Sequence, residues 1–301
     1  MSTSAVPRGS AVASTEPRAL RGLGLRRGLL AALEASTAPA ADFLELTPEN
    51  WLTLGPSFQR RLRALTERYR CRAHGLSLNL GGTAPLDVEL IAALKAFLDT
   101  HGIQQHSDHL SFCADAGQLY ELLPLPCTEE AVRHVSARIR EVSDRLGRRI
   151  AVENASRYVD LGGELSESEF LCAVLQEADC DLLLDINNVY VNSVNVGLDP
   201  HAFLRALPSS RITWGHVAGH AVRASGLIID THGATVIPEV WSLLEAAFAI
   251  HGQFPVVLER DFDLPALADL VEESRQIEAC AARATRLDPS AVARLDAVAR
   301  L

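Results

Sequence analysis

Short apolar runs in this chain end, one after another, in side chains that ligate metals. GLSLNL stands beside His74, QQHSDH ends at His109, RIAVE at Glu153, LLLD at Asp185, ITWGH at His216, and PVVLERD at Glu259 and Asp261. Donors spread from residue 74 to residue 261 meet only in a fold that gathers strand ends at one place. A (β/α)8 barrel does this, because its parallel strands point their C-termini at a single mouth where sites are built.

The rest of the pattern agrees. Eight candidate strands are read at Gly22–Arg26, Phe43–Thr47, Gly75–Leu80, Gln104–His109, Arg149–Glu153, Leu182–Asp185, Ile212–Val217 and Phe254–Asp261. Helical periodicity fills the gaps, as in Leu86–Thr100, with apolar Leu90, Leu94, Phe97 and Leu98, and Thr128–Leu146, opened by Thr128. Strands roughly 20 to 45 residues apart fit repeated β-loop-α units with a few enlarged mouth loops. An open doubly wound sheet is the runner-up. It would carry a glycine-rich phosphate turn, and Gly22-Leu-Gly24 is followed by Leu25-Arg26-Arg27-Gly28, which lacks the G-x-G-x-x-G spacing. The expected organisation is a Ser/Ala/Pro-rich disordered tail over 1–20, a catalytic barrel over 21–285 with helices after Pro265 that close it, and a C-terminal tail over 286–301.

Charge and composition narrow the function. With 28 basic and 38 acidic residues the net charge is −10, which repels a nucleic-acid backbone. Arg8, Arg18, Arg21, Arg26 and Arg27 against Glu16 alone would also suit a basic targeting arm, but the composition favours a disordered tail. No apolar run reaches the ~18 residues a membrane helix needs, and a cytoplasmic location is expected. The six cysteines, at 71, 113, 127, 172, 180 and 280, show no C-x-x-C spacing and read as free thiols. A cysteine-ligated zinc or iron–sulfur site is not expected.

Histidine nitrogens with carboxylate oxygens and no thiolates suit iron, manganese, zinc or cobalt. In His216-Val-Ala-Gly-His220 only one ring is expected to face inward after a strand, and His216 is preferred to His220. Asp230-Thr-His232 and Glu259-Arg-Asp261 have i, i+2 spacing, which in extended backbone places both side chains on one side. Two such pairs across a mouth can hold more than one ion. Glu153-Asn154 and Asp185-Ile-Asn187-Asn188 can ligate, orient ligating histidines or cap loops; Glu153 and Asp185 end apolar strands, where an unpaired carboxylate is costly, which favours ligation. Asp108 is expected to point away from the mouth into a structural ion pair. Glu45, Glu49 and Asn50 read equally well as substrate contacts or as a solvated loop.

The segments GLGLR, FLELTPENW, HGLSLNLGG, SDHLSF, LLPLPCTEEA, VENASRYV, LLLDINNVYVN, HVAGH, DTHG and LERD resemble the DUF692 (UPF0276) family, the multinuclear non-haem iron-dependent oxidases, from about Gly22 to Asp263. The resemblance implies a TIM-like barrel of xylose-isomerase type. It implies two or three iron ions that use O2 to modify a residue, often cysteine, of a ribosomally made precursor peptide. A small partner protein that recognises the leader peptide is implied as well.

Carried over residue by residue, the implied ligands are His74, His109, Glu153, His216, Asp230, His232, Glu259 and Asp261, with Asp185 or Asn188 completing the set. Glu153 would bridge two ions, one held by His74, His109 and Asp261 and one by His216 and Glu259, while Asp230 and His232 hold a third. Arg26, Asn50, Asn154 and Tyr158 are the candidate substrate contacts. Two positions depart from the family pattern: Leu29 and Val196 stand where histidines are usual, and both bear on substrate positioning rather than on the ligand set. The competing readings are a divalent-metal isomerase, an endonuclease-like phosphodiesterase, and a metal-binding interaction protein without catalysis.

Overall fold

The computed structural model describes residues 19–115 and 117–284, so the tails expected over 1–20 and 286–301 lie almost wholly outside the described residues. Among the described residues twelve strands are formed: β1 Arg21–Gly24, β2 Phe43–Leu46, β3 Arg70–His74, β4 His106–His109, β5 Phe112–Ala114, β6 Gln118–Leu123, β7 Ala151–Glu153, β8 Asp181–Asp185, β9 Ile212–Val217, β10 Ala221–Val222, β11 Ile228–Ile229 and β12 Val256–Leu258. Eight of them close a parallel barrel in the order β1-β12-β9-β8-β7-β4-β3-β2. The other four form two antiparallel ribbons, β5-β6 and β10-β11. The helices are α1 Leu30–Ala35, α2 Glu49–Leu52, α3 Pro56–Arg68, α4 Val88–Thr100, α5 Glu129–Leu146, α6 Glu167–Ala178, α7 Ile186–Asn195, α8 Pro200–Ala206, α9 Pro238–His251 and α10 Leu267–Ala284.

Helix boundaries follow local chemistry. Asp87 accepts the Glu89 and Leu90 N–H groups and opens α4 two residues later than periodicity alone suggests. The Thr128 hydroxyl accepts the Ala131 N–H at 3.1 Å to open α5, and Gly147, at φ +67°, ends it. Ser166 and Glu169 form a reciprocal capping box on α6. α10 packs on α9 and on β1, closing the helical ring.

The third strand is a correction. The alternating GLSLNL segment is a loop, and β3 is the preceding RCRAH. Two arginines hid it. Arg70 is exposed, and Arg72 turns into the barrel, where its guanidinium lies over the Phe43 ring at 4.6 Å and the Trp214 ring at 5.1 Å. The loop takes its apolar alternation from tucking Leu78 and Leu80 under the mouth, and Asn79, at φ +49°, turns the chain. His74 thereby ends a strand instead of preceding one.

Period-two alternation stacks two layers inside the barrel. The lower layer is an apolar floor of Phe43, Ala151, Leu183, Trp214 and Val257, packed as their own cluster. Two residues further along the same strands stand Glu45, Glu153, Asp185, His216 and Glu259, all buried. On β3 the step runs from Arg72 to His74, and on β4 from Ser107 to His109. On β1 it runs from Gly22 to Gly24, where a Cβ at Gly22 would lie 2.4 Å from the Phe43 ring. The lumen therefore changes from apolar to ionisable within one pleat. The main core lies between strands and helices and takes the opposite faces, such as Leu44, Leu46, Val152, Leu182 and Leu184.

Candidate metal centre

His74, His109 and Glu153 converge from neighbouring strands. Glu153 Oε2 is 3.0 Å from His74 Nε2 and 3.2 Å from His109 Nε2, and the two nitrogens are 3.2 Å apart. Adjacent donors around an octahedral ion with bonds of about 2.1 Å stand about 3.0 Å apart, so this triangle has the size of one face of a coordination shell. The Ser107 hydroxyl, 2.8 Å from His74 Nδ1, engages the far side of that ring and leaves Nε2 for the centre.

A second group adjoins the first. His216 Nδ1 is 3.1 Å from Glu259 Oε2, 3.8 Å from Asp185 Oδ2 and 4.0 Å from Glu153 Oε1. Glu153 thus turns one oxygen to each group. His232 makes a third group, with Nε2 2.8 Å from Asp230 Oδ1 and Nδ1 3.0 Å from Asp261 Oδ2 and 3.5 Å from Glu259 Oε2. Its backbone sits at φ +50°, so a turn rather than extended spacing brings Asp230 and His232 together. Asp261 pairs with His232 and Arg26, beside the third group and not beside His74 and His109, with which the ligand set carried over from the resemblance had grouped it.

Within the cluster the rings and the carboxylates shift one another's ionisation. Burial alone would lower the His109 ring, but the Glu153 and Asp108 carboxylates outweigh it and hold its pKa up to about 9. Burial would raise Glu153, yet the charges of His109 and His74 bring it to about 2. Burial, then the charges of Glu153 and Asp230, push Asp185 well above the usual carboxylate range. Glu259 is held well below that range against burial by His216 and His232.

The donors fit a metal ion. Glu153 Oε2, Asp185 Oδ2, Asn188 Oδ1 and His216 Nδ1 are buried and make no hydrogen bond, although each side chain accepts or donates through its other polar atom. Unpaired buried polar atoms cost about 1–3 kcal/mol each. Here they cluster at one point, and their chemistry, imidazole with carboxylate and amide oxygen, matches iron, manganese, cobalt or zinc. His74, Glu153 and His216 lie close enough to share one ion, as do Asp185, His232 and Glu259, and by distance Glu45, His216 and Glu259.

The remaining candidates separate clearly. Asn188 donates to Glu153 Oε1 at 3.2 Å and steadies it. Arg26 donates to Asp261 and to Glu259 Oε1, so it neutralises ligand carboxylates. Asn154 uses its amide to bond both the N–H and the C=O of Asp185, each at 2.9 Å, and ties two strands together. Asn50 is exposed on α2 and does not line the mouth. Tyr158 does line it, and its hydroxyl receives the Asp230 N–H at 3.2 Å. His220 stacks on Tyr190 and bonds Asn187, which in turn donates to Asp230 Oδ1 at 2.7 Å. Asp108 lies behind the ligands and accepts the backbone N–H groups of His109 and Leu78. Ser107 and Trp214 are site residues that sequence reasoning missed, while Glu45, read there as a substrate contact or a solvated loop, and Asn187, read as a ligand, orienter or cap, stand beside His216 and Asp230. Glu45 was legible in principle, since it occupies an inward position of an apolar strand.

Above the donors opens a cavity of about 410 Å³ lined by His109, Glu153, Tyr158, His232, Leu119 and Phe262 among others. Comparison with known proteins bears on what enters it. The family described as RiPP precursor modification enzyme MbnB/TglH/ChrH matches residues 20–282. The chain belongs to this family. Among its relatives is a UPF0276 protein of Pseudomonas aeruginosa (strain UCBPP-PA14), 55% identical over 256 residues that cover 85% of this chain and 90% of that protein. Another, from Shewanella amazonensis, is 49% identical over 270 residues, 89% of this chain and 97% of that one. Among solved structures the barrel resembles L-ribulose 3-epimerase, with TM-score 0.59 at 15% identity over 90% of this chain and 100% of that one. It also resembles endonuclease IV from Thermus thermophilus, with TM-score 0.57 at 18% identity over 89% and 100%. At these identities the likeness is one of fold. Among the described residues no helix is long and apolar enough to cross a membrane.

Proposed function

We propose that this protein is a multinuclear non-haem iron oxidase that uses O2 to modify a residue, a cysteine, of a ribosomally made precursor peptide in the cytoplasm. The observation that carries the reading is Glu153, whose Oε2 belongs to the His74 and His109 group while Oε1 faces His216. One carboxylate shared by two donor groups supports two neighbouring ions. His74, His109 and Glu153 would hold the first; His216, Asp185, Glu259 and Glu153 the second; Asp230, His232 and Asp261 a third. Iron held by these residues would supply the redox chemistry for O2 and a Lewis acid that lowers the pKa of a substrate thiol.

The chain's own residues do the rest. The mouth cavity, of about 410 Å³, would receive a side chain of an extended peptide, and the exposed Leu76, Leu119 and Phe262 at its rim would meet the apolar parts of that peptide. Arg26 balances Glu259 and Asp261, which keeps the excess of carboxylates from repelling a thiolate. Tyr158 fixes the Asp230 loop beside the opening. A small partner protein would present the leader of the peptide.

The test is metal content by elemental analysis, with Mössbauer spectra, on protein purified anaerobically from iron-supplemented cells, followed by O2 uptake with a cysteine-containing candidate precursor. Two or three irons per chain and peptide-dependent O2 consumption are expected. A single zinc or manganese with O2-independent turnover would replace this reading with a divalent-metal isomerase or phosphodiesterase.

A further inference from the structure

Glu45 stands on β2, across the barrel from β9, in the same layer as the donors. Distance alone would admit it to the ligand set with His216 and Glu259. Its hydrogen bonds argue otherwise. Oε1 is 2.8 Å from His216 Nε2, and Oε2 accepts the Trp214 indole N–H at 2.7 Å while lying 3.0 Å from the same His216 nitrogen. An indole nitrogen only donates, and an ionised carboxylate only accepts, so a hydrogen bond between Glu45 and His216 requires the proton on Nε2, and both oxygens of Glu45 then face donors from one strand. Ligation by Glu45 would take it from an indole N–H on a side chain that is 1% exposed and sits in an apolar floor. Trp214 is itself held in place beneath the Arg72 guanidinium.

The consequence falls on His216. Both ring nitrogens face carboxylates, Glu45 at Nε2 and Glu259 at Nδ1; a cation in the centre would take the place of the Nδ1 proton, and Glu45 would then keep the remaining proton on Nε2 and the lone pair on Nδ1, the atom that faces Glu259, Asp185 and Glu153. We propose that Glu45 is a positioning residue, clamped by Trp214, that fixes His216 in the tautomer whose Nδ1 faces the metal centre. The assignment rests on the metal reading above and adds to it a residue and a mechanism of control.

The geometry supplies a test in which one defect repairs another. In E45Q the side chain offers one acceptor and one donor to two donors. The oxygen must go to Trp214, so the amide N–H₂ faces His216 Nε2 and drives the proton to Nδ1. In E45Q/W214F the indole is gone, and the amide oxygen can turn to His216. The probe is Co²⁺ added to metal-free protein, with affinity from chelator competition and the ligand-field spectrum read alongside. E45Q is expected to weaken one class of Co²⁺ site by about 10–100-fold and to alter its spectrum. E45Q/W214F is expected to return close to W214F alone. Equal weakness of E45Q and E45Q/W214F would make Glu45 a ligand and overturn the assignment. Unchanged binding in E45Q would reduce Glu45 to a structural strut and overturn it too. If E45Q does not fold, the ¹⁵N spectrum of the Zn²⁺-loaded native protein decides: His216 must carry its proton at Nε2, and a proton at Nδ1 refutes the proposal. A native protein that takes up neither Co²⁺ nor Fe²⁺ fails the metal reading itself, before any variant is made.

Discussion

Glu153 is the residue on which the centre turns, because its two oxygens serve two groups of donors. Replacing it with glutamine keeps size but removes charge and one lone-pair set, so E153Q is expected to lose at least one ion per chain, read by elemental analysis beside circular dichroism to confirm folding. Proton linkage gives a second prediction at this scale. The folded pKa of His109, about 9, lies above its ordinary 6.5, so its contribution to the stability of metal-free protein is fully present below pH 6.5 and is lost as pH rises through 9. Glu153, at about 2, contributes stability above its ordinary 4.5 that is lost as pH falls through 2. A bound ion replaces the His109 proton. Thermal melts from pH 6 to 9 should therefore decline for chelated protein and stay level for loaded protein; parallel curves would contradict the placement of His109 in the centre. Elsewhere burial pushes the thiols of Cys71 and Cys180 up to about 12 and that of Cys280 to about 11, so iodoacetamide at pH 8 should leave all three unlabelled in native protein, as mass spectrometry of the digested chain would show.

At the scale of elements, the mouth depends on short pieces that carry no periodic signal. The β5-β6 ribbon is pinned by one side chain: Asn79 Oδ1 accepts the Cys113 and Ala114 N–H groups at 2.8 and 3.2 Å, and its Nδ2 donates to Ala114 C=O at 2.8 Å. N79A is expected to raise amide exchange across Phe112–Leu123 by about tenfold or more while leaving metal content intact. Loss of metal in N79A would mean that the ribbon shapes the donors as well as the rim. On the helical side, T128A removes the cap of α5 and should cost about 1 kcal/mol in urea unfolding. Both ribbons went unread in the sequence for a physical reason. Strands of two to six residues on a mouth surface bury little on either face, so the hydrophobic alternation that reveals a strand is not imposed on them. β3 failed to show for a related cause, since Arg72 is accommodated by the Phe43 and Trp214 rings and not by apolar neighbours.

For the whole molecule, the donor cluster joins side chains from strands all round the barrel, so metal and fold should be linked. Each ion held at a hundred times its Kd contributes about 2.7 kcal/mol, which in a domain of this size shifts Tm by roughly 5–10 °C. Adding a chelator should lower Tm by at least that amount, and restoring iron should recover it. The amino-acid sequence by itself determined that the chain forms a barrel, because its apolar runs recur at β-loop-α spacing. It also determined most of the histidines and carboxylates that stand at strand ends, because a strand long enough to cross the barrel leaves its last inward side chain at the mouth; His74 is the exception, since its strand is RCRAH and not the alternating segment after it. Only the tertiary structure decided how those donors divide into groups, that Asp261 joins His232, that Glu45 and Ser107 hold the rings of His216 and His74, and that Asn154 fastens backbone. Grouping depends on which strands become neighbours around a closed ring and on which way each turn directs its side chain, and neither is carried by the order of residues along a single strand.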